Sequence, residues 1–98
     1  MNKKKEILKY SNPNLVYNKA KYIFGDDVDI KLSTRKNKKY MLYDPTTNKY
    51  VHFGEIGFLD YTKHKDENRR RLFRARNYKW KDNDIFTSSW MSYYLLWS

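Results

Sequence analysis

The chain has 98 residues and a formal net charge of +10, from 21 Lys or Arg against 11 Asp or Glu. A chain of this length forms one small domain, and this charge is more typical of a binding or structural module than of an enzyme. The absence of Cys excludes disulfides and thiolate metal sites, and no run approaches the roughly 18–20 apolar residues of a membrane-spanning helix, so no membrane span is expected.

Residues 1–11 are predicted to form a basic arm. Lys3, Lys4, Lys5 and Lys9 dominate this segment, and Lys9 follows Ile7 and Leu8 directly, so no apolar core of a secretory signal is present. Such an arm is disordered unless a partner holds it. We therefore assign residues 12–98 to a single small domain.

The first predicted element of that domain is an amphipathic helix over residues 13–24. Asn12 is suited to cap its start, Pro13 to occupy its first position, and Gly25 to end it. Val16 and Ala20 share one face of the helix, which is the face expected to be buried.

A three-stranded antiparallel meander follows. Apolar and polar residues alternate over 28–32, and two further strands are predicted over 40–43 and 50–53, joined by turn formers at 44–49. Gly54 and Gly57 then interrupt regular pairing, which suits a bend or a close neighbour.

A basic helix is predicted from Thr62 or Asp66 to Arg76. Nine Lys or Arg lie between residues 63 and 81 against two acids, so this fifth of the chain supplies +7 of the +10 charge. Phe73 and the stems of Arg69 and Arg76 share one face. Five of the remaining seven cations define what we call the basic surface, which is expected to contact carboxylates or phosphates: Arg70, Arg71, Arg74, Lys79 and Lys81.

The last predicted element is an aromatic helix capped by Thr87. Seven of the eight residues from 90 to 97 are apolar or aromatic, so this helix has no polar face. Because so small a domain offers little to cover it, residues 87–98 are predicted to be a docking tail. Its expected contact residues are Trp90, Met91, Tyr94, Leu95 and Trp97. Together the elements predict an α+β fold.

No catalytic, metal or cofactor site is predicted. His52 and His64 are the only histidines, and neither belongs to a nucleophile or phosphate-loop motif. A zinc site would need further ligands from Asp or Glu in a chain without Cys. We therefore expect a protein that is not an enzyme.

Two functions fit the basic and aromatic composition. A structural protein would pair its arginines with carboxylates of larger proteins and insert its tail into a groove, which accounts for both the apolar tail and the enrichment in Tyr, Trp and Arg. A nucleic-acid-binding protein would place the same arginines on DNA or RNA phosphates, with rings such as Tyr40, Tyr43, Tyr50 and Trp80 stacking on bases. The second function accounts for fewer features, so we place it second.

An ordered series of motifs resembles a group of small basic proteins that recur in large nucleocytoplasmic DNA viruses of algae and amoebae. The series covers about residues 38–97 and runs in this order: His52-Phe53-Gly54, Gly57-Phe58, Asp60-Tyr61-Thr62, His64-Lys65-Asp66, Arg69-Arg70, Trp80 and Leu95-Leu96-Trp97. The group has no assigned activity. The resemblance implies a multi-subunit viral setting, in which the chain would be a minor capsid or internal virion component that cements larger proteins, located in the virion and in the host cytoplasm during assembly.

Overall fold

The computed structural model describes residues 2–98 and has the predicted α+β fold. In chain order its elements are α1 Lys3–Leu8, α2 Pro13–Phe24, β1 Ile30–Leu32, β2 Lys38–Asp44, β3 Lys49–Glu55, α3 Tyr61–His64, α4 Glu67–Arg76, a 3-10 helix Tyr78–Asp82, α5 Ser88–Met91 and a π-helical turn Ser92–Leu96. Within this described part of the chain, no helix is both long enough and apolar enough to cross a membrane.

Helix α2 matches its prediction at both ends. The Asn12 side chain accepts a hydrogen bond from the Leu15 N–H at 3.3 Å, and Pro13 occupies the first position. Gly25 ends the helix at φ +96°, a conformation that residues with a Cβ rarely adopt. The predicted inner face is confirmed, since Val16 and Ala20 are fully buried.

The sheet is the predicted antiparallel meander with strand order β1-β2-β3. Leu42 lies between Ile30 of β1 and Val51 of β3, and Tyr40 pairs with Phe53. Side chains alternate between the two faces of a strand, so Tyr40 and Leu42 enter the core together. The core combines this face with both ends of the chain, and its buried members are Ile7, Val16, Ala20, Tyr40, Leu42, Phe53, Met91, Leu95 and Leu96.

The basic arm is a wrong prediction for the described residues before Asn12. They form α1, whose Ile7 is fully buried in the core. The Tyr10 carbonyl accepts a hydrogen bond from the Asp60 N–H at 3.0 Å, and the buried Ser11 hydroxyl accepts one from the Tyr40 hydroxyl at 2.7 Å. The prediction gave weight to the lysines and overlooked Ile7. A single apolar residue such as Ile7 can anchor a short helix when it packs into the core.

The docking tail is also corrected, because the domain covers most of it. Thr87 caps the helix as predicted, accepting a hydrogen bond from the Trp90 N–H at 3.3 Å. Met91 and Leu95 are fully buried in the domain's own core, so neither is free to contact a partner. Our prediction underestimated the apolar surface that α1, α2 and the sheet offer together.

The three aromatic residues of the predicted tail are only partly buried, and each contacts its own domain. Trp90 packs against Phe24 with ring centroids 5.9 Å apart, and Tyr94 packs against Trp90 at 4.5 Å. Trp97 stacks on Phe73 of α4. The segment therefore belongs to the fold rather than to a detachable docking element.

Candidate binding cleft beside the basic helix

Helix α4 is the longest regular element of the basic region, and seven of its ten residues are exposed. The Asp66 carboxylate caps its start, accepting hydrogen bonds from the Asn68 and Arg69 N–H groups at 2.9 and 3.2 Å. None of its residues is fully buried. Most side chains of α4 are therefore available to a partner.

Two arginines of the basic surface already serve the fold. The Arg74 guanidinium donates to the Tyr93 and Trp97 carbonyls, each at 3.3 Å, and lies 4.1 Å from the centroid of the Tyr93 ring. Arg70 lies 3.6 Å from a carboxylate oxygen of Glu67 and over the Tyr61 ring. The prediction that Arg74 faces a partner is corrected, since its donors are directed at the chain's own C-terminal segment.

The other members of the basic surface are exposed. The Arg71 guanidinium donates to the Asn68 side chain at 2.7 Å and remains open to solvent. Lys79 and Lys81 are exposed on the 3-10 helix that follows α4. The structure therefore divides the predicted set into exposed cations and cations that hold the fold.

A cleft of about 770 Å³ lies along the other face of α4, and we refer to it as the α4 cleft. Helix α4 contributes Arg69, Leu72, Phe73 and Arg76, the face that the sequence indicated. The remaining lining comes from the ends of β2 and β3, the loop after β3, the 3-10 helix and the C-terminal segment. Its main apolar members are Phe58, Leu59, Leu72, Phe73, Trp80 and Trp97.

Aromatic packing builds one wall of the α4 cleft. The Phe73 and Trp97 rings are nearly parallel with centroids 4.1 Å apart, and Trp80 meets Phe73 edge to face at 5.8 Å. Phe58 is 71% exposed and Leu72 is 44% exposed. The cleft thus contains apolar side chains that the chain itself leaves largely uncovered, which is typical of a binding surface.

A buried ion pair fixes the loop that forms another wall. Lys39 Nζ lies 3.1 Å from Asp60 Oδ2 and donates to the Phe58 carbonyl at 2.6 Å, and both charged side chains are almost fully buried. Burial lowers the pKa of Lys39, and the Asp60 charge opposes that shift. Because both charges are satisfied within the chain, we assign this pair a structural role.

Gly54 allows the strand end to lie against this ion pair and the C-terminal segment. Its φ is +82°, and a Cβ there would lie 3.0 Å from Leu96 Cδ1 and 3.1 Å from Lys39 Cδ. The predicted close neighbour of Gly54 is therefore confirmed.

Several other residues singled out from the sequence lie elsewhere. The His52 ring Nδ1 is 2.6 Å from the Ser33 hydroxyl, and the His64 Nδ1 accepts a hydrogen bond from the Asp66 N–H at 2.9 Å. Tyr40 is fully buried, so it cannot stack on a base. Tyr43 and Tyr50 pack against each other, with centroids 5.4 Å apart.

Sequence reasoning identified one face of the cleft but missed the cleft itself. The signal was the shared face of Arg69, Phe73 and Arg76. The residues that complete the site come from the loop after β3, such as Phe58, and from the 3-10 helix, such as Trp80, and the position of these segments depends on contacts far apart in sequence. No local pattern brings them together.

A family model described as a family of unknown function (DUF5754) matches residues 28–77, just over half of the chain. The match runs from just before β1 through the sheet and α4, and so includes the arginine face of the cleft. No curated protein and no solved structure matches the chain. The chain belongs to the DUF5754 family of unknown function.

Proposed function

We propose that this chain is a non-enzymatic structural protein that binds a larger protein partner, and that the α4 cleft is where it does so. The observation that carries this proposal is that Phe58 and Leu72 remain largely exposed in the cleft whose lining also includes the stacked rings of Phe73 and Trp97. Burying an apolar side chain contributes about 1.5–3 kcal/mol, so a partner that covers these side chains gains affinity from a few residues.

The viral setting is part of the same proposal. The ordered series from His52 to Trp97 resembles small basic proteins of large DNA viruses, which favours a minor capsid or internal virion component bound to larger virion proteins. On this proposal the chain resides in the virion, and in the host cytoplasm during assembly. The surface that meets the partner is the α4 cleft, to which residues 87–98 contribute lining side chains such as Trp97, and not a detached tail.

Nucleic-acid binding remains the second candidate because one observation favours it. Of the nine Lys and Arg between residues 63 and 81, only Arg70 lies within salt-bridge distance of a carboxylate in the described chain. Exposed cations such as Arg71, Lys79 and Lys81 suit phosphates. The loss of Tyr40 as a stacking ring weakens this candidate, and we therefore keep protein binding first.

Site-specific photo-crosslinking tests the proposal. A benzoylphenylalanine at Phe58 reports from the cleft, and the same group at Tyr22, which is 91% exposed on α2 outside the cleft lining, serves as the matched control. On irradiation in cells or particles where the protein is naturally made, we expect a nuclease-resistant adduct of defined mass, containing one protein, from position 58 alone. A nucleic-acid adduct, the same adducts from both positions, or no adduct from position 58 would contradict the proposal.

A further inference from the structure

We infer that the α4 cleft recognises an acidic segment of its protein partner, in which two carboxylates flank an apolar side chain. This inference rests on the proposed function, because it assumes that a protein occupies the cleft. The proposed function names a protein partner, and this inference specifies the charge and polarity of the partner segment that binds in the cleft.

The two arginines of the α4 cleft lie on the same side of the helix. Arg69 and Arg76 are seven residues apart, which is nearly two helical turns, so both lie on the same side of α4 at positions about 10 Å apart along its axis. Leu72 and Phe73 lie between them on that side. The helix therefore presents an apolar pair with one guanidinium-bearing residue on each side of it.

The lining of the α4 cleft contains more cationic than acidic side chains. Lys38 pairs with Glu55, and Lys39 pairs with Asp60, so the acids that line the cleft are already used. Arg69 and Arg76 are exposed, and neither has a carboxylate within salt-bridge distance among residues 2–98. The lining thus has two arginines whose charge an acidic occupant would balance.

The distance between those arginines indicates a spacing for the occupant. Side chains on one face of an extended segment recur at every second residue, so positions i and i+4 lie about 13 Å apart. Flexible arginine side chains accommodate the difference from about 10 Å. An acidic residue at i, an apolar residue at i+2 and an acidic residue at i+4 would place both carboxylates near the guanidinium groups and the apolar side chain over Leu72 and Phe73.

The apolar residues between the two arginines favour a peptide over a nucleic acid. Base stacking needs an uncovered ring face, and between the arginines Leu72 has no ring while Trp97 covers one face of Phe73. An aliphatic surface such as that of Leu72 suits an apolar side chain. Single-stranded DNA is therefore the competing ligand in the experiment.

The experiment uses the full chain and fluorescein-labelled nine-residue peptides, with anisotropy as the readout. The probe has the central sequence aspartate, serine, phenylalanine, serine, aspartate. Its controls replace both aspartates by asparagine or by lysine, and a nine-nucleotide oligo-dT tests the nucleic-acid arm. We expect the acidic peptide to bind at low salt and the asparagine peptide to bind about tenfold more weakly, the size of effect expected for two exposed ion pairs.

Charge reversal at the cleft makes the test specific. In R69E/R76E the preference should invert, so that the lysine peptide binds more tightly than the aspartate peptide. R71E changes another exposed arginine, which lies outside the cleft lining, and should change acidic-peptide affinity less than threefold. All three substitutions are at exposed positions, so the variants should remain folded, which circular dichroism would verify.

Several outcomes would overturn the inference: equal affinity for the aspartate and asparagine peptides, no binding of either, tighter binding of oligo-dT than of the acidic peptide, or an R71E effect as large as that of R69E/R76E. Failure of this inference and failure of the proposed function can be told apart. A protein adduct from position 58 together with any of these results would leave the α4 cleft as a protein-binding site and exclude the acidic segment as its ligand.

Discussion

Phe73 and Trp97 stack almost face to face, with ring centroids 4.1 Å apart and planes inclined by 5°. This contact joins α4 to the C-terminal segment, and the two Arg74 hydrogen bonds to the Tyr93 and Trp97 carbonyls join the same two parts. Because α4 has no fully buried residue, these few contacts position the arginine-bearing wall of the cleft. The C-terminal segment thus contributes to the site by holding α4 in place. The buried residues of the same segment, Met91 and Leu95, pack in the core of the domain.

Removing the stack should loosen α4 selectively. F73A removes a ring whose packing on Trp97 is worth about 0.5–1.5 kcal/mol beyond its burial, so we expect a loss of about 2 kcal/mol in unfolding free energy. Amide hydrogen exchange should accelerate more in α4 than in β2. F58A, at a ring that is 71% exposed, should change stability by less than about 0.5 kcal/mol. Equal acceleration in α4 and β2 would show that the stack does not act locally.

The buried ion pair should behave as a coupled unit. K39M leaves the Asp60 carboxylate buried without its partner, and breaking such a pair costs about 3–5 kcal/mol. Adding D60N removes that charge while keeping an oxygen that can accept the capping hydrogen bond from the Thr62 N–H. In urea denaturation the double variant K39M/D60N should therefore be more stable than K39M alone. If the double variant were less stable than K39M, Lys39 and Asp60 would not behave as a coupled pair.

The parts of the fold that sequence predicted are those with local signals. Asn12, Pro13 and Gly25 define α2 through their own backbone preferences, and alternation defines the meander. The arm and the tail failed because burial is decided by distant neighbours. The residues near Ile7 in sequence do not show that Ile7 packs into the core. The apolar run that ends at Trp97 has the same sequence pattern whether its own domain or a partner covers it. The cleft depends on such distant contacts on every side.

Stability should fall as pH falls from 7.5 to 5.5. Burial lowers the pKa of His64 and of His52 below the ordinary value of 6.5. Neighbouring cations reinforce the shift, Arg69 and Lys39 at His64 and Arg35, Lys3 and Lys38 at His52, while Asp66 and Asp60 oppose it at His64.

Proton binding at acidic pH favours the unfolded chain. As the pH falls through 6.5, the unfolded chain takes up protons at both histidines before the folded chain does, so proton binding lowers the free energy of the unfolded state and the stability of the fold decreases. Protonation of His64 Nδ1 would also break its hydrogen bond from the Asp66 N–H. Urea denaturation at the two pH values should show lower stability at 5.5, and the difference should shrink in H52Q/H64Q. A pH dependence that is unchanged in this variant would contradict the assignment to these side chains.

Arg71 and Arg74 offer a matched comparison on one helix. R74A removes the two hydrogen bonds to the C-terminal carbonyls and the contact with the Tyr93 ring, so we expect a loss of about 1–3 kcal/mol in unfolding free energy. R71A removes only an exposed hydrogen bond to Asn68 and should stay within about 0.5 kcal/mol of the unsubstituted chain. The same pair tests the nucleic-acid alternative. If the exposed cations bind phosphate, R71A should weaken binding to duplex DNA. It should also reduce the salt dependence of the affinity by the amount expected for the loss of about one phosphate contact, whereas R74A should change the salt dependence little. Equal destabilisation by the two substitutions would contradict the division of the basic surface into fold-holding and exposed arginines.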